Sequence, residues 1–185
     1  MLKMLINRMI CARNPVKYWR KKGVRIGEGC EIYASVGFGS EPYLITIGDN
    51  VRVNTKVQFV THDGGVWVLR HMSPELADVD RFGPISVGNN VHIGTGAVIM
   101  PGVTIGNNCI IGVGAVVTND IPDNSVAVGV PARVIKTVDA YLEKNRDSLV
   151  HTKRLSPAEK KSYLLKTYFP QTAAAPEPED RSAEE

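Results

Sequence analysis

From Val87 to Ile121 the chain repeats itself every six residues. Aliphatic side chains fall at Val87, Ile93, Ile99, Ile105, Ile111 and Val117 without a slip, and Gly88, Gly94, Gly106 and Gly112 follow four of them directly. Four positions after each aliphatic stands a second apolar or small residue: Val91, Ala97, Val103, Cys109, Ala115 and Ile121. This spacing is neither the period of about 3.6 of an amphipathic helix nor strict strand alternation. It predicts an all-β solenoid, a parallel β-helix in which each hexapeptide makes one short flat strand and one corner. The aliphatic points inward from a face and the smaller residue points inward at the corner. Three hexapeptides close one coil, and coils stack about 4.8 Å apart. Asn89-Asn90, Asn107-Asn108 and Gly102 supply residues that tolerate unusual backbone angles at the corners.

A less regular block precedes this run, with Ile26-Gly27, Ile32, Ile47-Gly48, Val53 and Phe59 in the same roles. Between Ile32 and Ile47 the sequence predicts a bulge holding Gly37, Gly39 and Pro42. Between Phe59 and Val87 the spacing is not a multiple of six, which predicts a loop over 62–84 leaving the coil stack. Loops on a rigid scaffold are where function concentrates. The expected organisation is a basic helical segment over 1–23, the β-helix over 24–136, C-terminal helices over 137–169 and a disordered tail over 170–185. Leu2, Leu5, Ile6 and Met9 share one face of the first segment. Ser156-Pro157-Ala158-Glu159 is a capping box with Pro at the first helical position. The tail is Ala, Pro, Glu and Asp with almost nothing to bury.

Composition narrows the function classes. Aromatics are only 6% of the chain against 43% hydrophobic, so the core is aliphatic. A net charge of +3 does not argue for nucleic acid. Three widely spaced cysteines form no disulfide framework or metal spacing and fit a reducing compartment. No apolar run is long enough to span a bilayer, and Lys3, Arg8 and Arg13 interrupt any signal-peptide core. These features together read as cytoplasmic.

The stretch Ile85 to Lys136 resembles the second half of hexapeptide-repeat acetyltransferases. The carrying residues are Ile93-Gly94-Thr95-Gly96-Ala97, Ile99-Met100-Pro101-Gly102-Val103-Thr104-Ile105-Gly106, Ile111-Gly112-Val113-Gly114-Ala115-Val116-Val117 and the ending Gly129-Val130-Pro131-Ala132-Arg133-Val134-Ile135-Lys136. With Thr61-His62-Asp63-Gly64-Gly65 upstream, the chain looks most like the sugar and polysaccharide O-acetyltransferases. The resemblance implies a left-handed helix, an exception to the usual crossover hand. It also implies a homotrimer, acetyl-CoA in the groove between neighbouring coil stacks, and active sites shared by two subunits.

What the resemblance implies for single residues follows its motifs. Acetyl transfer to an alcohol needs a base, and His62 matches the family's. Imidazoles titrate near neutrality, so this one can take the hydroxyl proton and return it to the leaving thiolate. Read without the family, His62 is equally a loop histidine with a structural hydrogen bond. Its orienting group is left open among a backbone carbonyl, Glu75, Asp78 and Asp80; Asp63, its neighbour in an extended chain, points away.

The turn at Thr95-Gly96 matches the position of the family's oxyanion donor, with Gly96 as the assigned residue. Gly112, Val113, Thr118 and Asn119 lie on the path implied for the CoA arm, Asn119 standing where many relatives carry Lys. Arg133 and Lys136 are left as phosphate partners, and no metal is called for. Asp63, Trp67 and Arg70 in the loop are the expected acceptor contacts. His92, His71 and His151 read as exposed, and Cys30 and Cys109 as buried small hydrophobes.

Other readings remain open at this level. A γ-class carbonic anhydrase shares the fold but needs three zinc-binding histidines, and the coils lack a close pair. A non-catalytic scaffold would need no base. Within the enzymes the acceptor is a polysaccharide, a nucleotide- or lipid-linked sugar, an amino sugar, an antibiotic or serine. The N-terminus carries Lys3, Arg8, Arg13, Lys17, Arg20, Lys21, Lys22 and Arg25 before the first acid, Glu28. It either covers the open end of the β-helix, hiding its unpaired edge, or makes peripheral contact with the inner face of an anionic membrane.

Overall fold

The computed structural model describes residue 11 and residues 13–170. The N-terminal helix expected before Cys11 and the tail beyond Pro170 lie outside the described residues. Two compact units divide the chain at Lys144/Asn145.

The first unit is built from short strands. β1 (Arg25–Ile26), β3 (Ile45–Ile47), β6 (Ile85–Val87) and β9 (Thr104–Ile105) form one parallel sheet, A. Sheet B joins β2 (Glu31–Ile32), β4 (Arg52–Val53), β7 (Val91–Ile93), β10 (Cys109–Ile111), β12 (Ser125–Gly129) and β13 (Ala132–Thr137). Sheet C joins β5 (Gln58–Phe59), β8 (Val98–Ile99) and β11 (Val116–Val117). The chain visits A, B and C in turn, so each circuit is one coil of a parallel stack. Ser86 pairs with Thr104 and His92 with Ile110, an offset of 18 residues, or three hexapeptides. The repeat therefore sets the register.

Two coils depart from that offset, and they position the site. Arg25 pairs with Thr46 and Glu31 with Arg52, 21 residues apart, so the bulge adds three residues to the first coil. Gln58 pairs with Val98, 40 residues apart, and the excess is the excursion through the 62–84 loop. That loop contains α2 (Val66–Arg70), the earlier α1 being Pro15–Lys21. The sheets are not wholly parallel. β13 runs antiparallel to β12 after the Gly129–Pro131 turn, pairing the edge of sheet B that the last coil would leave open.

The interior follows the period. Val87, Ile93, Ile99, Ile105, Ile111 and Val117 are at most 3% exposed, and the smaller corner residues Val91, Ala97, Val103, Cys109, Ala115 and Ile121 at most 5%. Each fully buried Val or Ile stabilises the fold by about 1.5–3 kcal/mol relative to an exposed one. The corner between sheets A and B is tied by asparagines at positive φ, with Asn90 Nδ2 donating to Asn108 Oδ1 across coils at 2.7 Å. Cys30 departs from its expected burial. It is half-buried, with its thiol on the Gly48 carbonyl at 3.1 Å, because it sits at the first coil where no further coil covers it.

α1 covers the open end of the stack. Asn14 Oδ1 accepts from Lys17 N to start it, and Trp19 lies over Phe38 at 4.6 Å between centroids, Phe38 over Phe59 at 4.9 Å. In place of another coil, an aromatic column finishes the core. At the other end α3 (Val138–Asn145) follows β13. The second unit contains α4 (Pro157–Tyr168), opened by the expected capping box: Ser156 Oγ accepts from Glu159 N, and Glu159 Oε2 from Ser156 N.

Candidate active site

His62 stands at the corner between sheets C and A, where the chain leaves the stack. The returning strand holds it in place. Asp63 N donates to Arg81 O, Gly83 N to Thr61 O, and His62 forms an antiparallel bridge with Phe82. The Phe82 ring packs edge-on to the imidazole at 6.4 Å.

The group that orients His62 comes from the bulge one coil below. Glu41 Oε2 lies 3.1 Å from His62 Nδ1 and accepts a 2.7 Å hydrogen bond from Thr61 Oγ1, while Ser40 Oγ is 3.3 Å from the same ring nitrogen. Thr61 is fully buried, and the Glu41 side chain is 16% exposed against 45% for His62. The Thr61 hydrogen bond, with smaller contributions from Ser40 and His62, holds the Glu41 carboxyl below the ordinary glutamate value against the opposing effect of burial. An ionised Glu41 assigns the Nδ1 proton to His62, and Nε2 is then the basic nitrogen. Gly39 makes this possible: at φ +64 it brings the bulge so close that a Cβ there would be 3.0 Å from Thr61 Oγ1.

The sequence leaves the orienting group open among a backbone carbonyl, Glu75, Asp78 and Asp80, and the structure puts Glu41 on the ring instead. Asp80 is tied to Arg70, and Glu75 to Ser73 within its own turn. The missed signal was the bulge itself. Its three extra residues make the local coil offset 21, which places Glu41 directly beneath His62.

The other loop residues are mutually engaged. Asp63 accepts from Gly65 N at 2.9 Å and from Arg81 at 2.8 Å, and the Gly65 hydrogen bond is the main reason its carboxyl titrates low. Arg70 donates to Val79 O and pairs with Asp80, so much of its fork fixes the loop. Trp67 is 65% exposed, its ring 4.9 Å from that of His71.

The expected donor-side residues occupy two corners. Gly96, Gly112 and Val113 sit between sheets B and C, while Thr118 and Asn119 follow β11 at the C-to-A corner that His62 shares. The Gly96 N–H is already used: it donates to Thr55 O at 3.0 Å in the inter-coil ladder, which corrects the expectation that it faces an oxyanion. His92, Gly94, Ile110, Ile111, Gly112, Val113 and Tyr141 line an outer groove of about 420 Å³. His92 is half-buried there rather than exposed, and burial, then Arg52, lowers its pKa. Asn119 Nδ2 donates to Thr118 Oγ1, and Arg133 to Ala132 O. Arg133 and Lys136 both lie on β13.

Comparison with known proteins agrees with the coil geometry. The bacterial transferase hexapeptide family (six repeats) matches residues 84–119. Protein CapG of Staphylococcus aureus is 53% identical over 152 residues, covering 80% of this chain and 86% of that protein. The galactoside O-acetyltransferase of Escherichia coli K12 is 42% identical over 120 residues, 63% of this chain and 56% of that enzyme. Among solved structures, a hexapeptide-repeat-containing acetyltransferase from Vibrio cholerae, complexed with acetyl coenzyme A, matches with a TM-score of 0.56 at 32% identity, covering 63% of this chain and 61% of that one. The protein is an acyltransferase of the parallel-coil class. It belongs to the hexapeptide-repeat acetyltransferases, and its relatives include sugar O-acetyltransferases.

Proposed function

We propose that the protein transfers an acetyl group from acetyl-CoA to a hydroxyl of a sugar acceptor, free, polymeric or carried on a nucleotide or lipid. The observation that carries this reading is the Thr61–Glu41–His62 cluster, with an ionised carboxylate on Nδ1 and Nε2 left to act as a base. In the reaction the acceptor oxygen attacks the thioester carbonyl carbon while Nε2 takes the hydroxyl proton. Glu41 stabilises the imidazolium that forms. The tetrahedral intermediate then collapses, the C–S bond breaks, and the same proton passes to the leaving thiolate.

The donor path runs over Gly96, Gly112 and Val113, where a missing or small side chain lets pantetheine approach backbone, and past Thr118 and Asn119 toward Arg133 and Lys136, which meet the CoA phosphates. With the Gly96 N–H committed, the oxyanion donor of this turn is the Thr95 N–H. Trp67 offers a flat face to the sugar, with Asp63 and Arg70 shaping the loop around it. Because His62 and the Gly96–Val113 path occupy different corners of one chain, the complete site takes its donor groove from a second subunit of a left-handed, trimeric assembly in the cytoplasm.

A panel of sugars, amino sugars and serine with acetyl-CoA, read by thiol release, tests the reading. Turnover with a sugar hydroxyl that is lost in His62→Ala supports it. Thiol release restricted to amines or serine would overturn the acceptor class. Absence of turnover with every acceptor would favour the scaffold. Light scattering tests the assembly: a monomer mass would rule out the shared site.

A further inference from the structure

The capped end of the coil stack carries a charge distribution that acetyl transfer does not use. Of 22 Lys and Arg, 8 precede the first acid, Glu28; the 14 others are set among all 19 acids. α1 turns Trp19 onto the core and leaves Lys17 and Lys21 in solvent, joined by Lys22 and Arg25, all exposed. Among the described residues of this end only Arg20 forms an ion pair, with Glu28 at 2.9 Å. Tyr43, 58% exposed, stands beside Gly23 at the same end, where a Cβ on the glycine would be 3.0 Å from the tyrosine Cβ. We propose that this end docks on an anionic lipid surface.

Three observations favour a bilayer over other polyanions. A small phosphate ligand needs enclosed donors, and every one of these cations is exposed. Nucleic acid presents a long charged rod, whereas the remainder of the chain is net acidic and would repel it. An exposed aromatic among cations suits the headgroup boundary. The binding is independent of the acetyl-transfer reading, since none of these residues belongs to the His62 site.

The test is co-sedimentation of the full chain with vesicles of phosphatidylcholine alone or with about one third phosphatidylglycerol. Binding should appear only with the anionic lipid and weaken as salt rises, because exposed charges are screened. Lys17→Gln with Lys21→Gln and Lys22→Gln should lower partitioning on the order of 100-fold, with melting temperature and thiol release unchanged. Tyr43→Ser supplies a second, charge-neutral variant that should weaken binding several-fold. Equal binding to both vesicles, or none, overturns the proposal. So does undiminished binding of the triple variant, or equally tight binding of the wild type to soluble dextran sulfate.

Discussion

Glu41→Gln is the substitution that isolates the orienting charge. It keeps the shape of the side chain and an oxygen for Thr61 Oγ1, 2.7 Å away, and for His62 Nδ1, 3.1 Å away. It removes the negative charge that faces the imidazolium formed in the transition state. A charge-assisted hydrogen bond is worth about 1.5–3 kcal/mol when desolvated, and an exposed ion pair about 0–1 kcal/mol. With the Glu41 side chain 16% and the His62 side chain 45% exposed, the site falls between these cases. About 1.4 kcal/mol is the reasonable figure, or roughly a 10-fold lower kcat. The KM for acetyl-CoA should stay within a factor of about two, because the donor groove is built elsewhere. Initial rates of thiol release across a pH series, with a thermal melt of each variant, make the measurement. The variant should run below the wild type at every pH of the series. A variant within about three-fold of wild type would refute the orienting role, as would a loss accounted for by unfolding of Thr61 and the bulge. The carboxyl also makes a pH prediction for stability. It titrates lower in the folded protein than in the unfolded chain, so its contribution is fully present above the ordinary glutamate pKa and fades as pH falls through the folded value. Melting temperature should therefore drop less on acidification in Glu41→Gln than in the wild type.

His62→Ala should lower kcat by roughly 10²–10⁴-fold, with a circular dichroism melt close to wild type. Trp67→Ala should raise the acceptor KM and leave that for acetyl-CoA unchanged; the reverse pattern in steady-state kinetics would assign the loop to the donor. Gly94→Ala should destabilise by about 1–3 kcal/mol in urea titration, because a Cβ there would sit 2.6 Å from the backbone nitrogen of Val113, where nothing flexible can yield.

The hexapeptide period determined more of this protein than any other feature. A six-residue spacing of aliphatics permits one way of burying them, so the period alone placed Val87 through Val117 inside, set the 18-residue register and put asparagines at the corners. His62 opens the segment where the period breaks, and the resemblance in Thr61 to Gly65 singles it out as the candidate base. Its partner was not legible. Glu41 lies 21 residues earlier in an irregular stretch, and only the stacked coils show that three inserted residues shift the register by the amount that brings its carboxylate onto Nδ1. The same limit hid the use of the Gly96 N–H by Thr55 and the half-burial of His92 beside Arg52. A repeating sequence fixes which side of the chain faces the core through local periodicity. Which atoms meet between coils depends on the summed length of every bulge and loop between them, and that sum becomes contact geometry only in the folded stack.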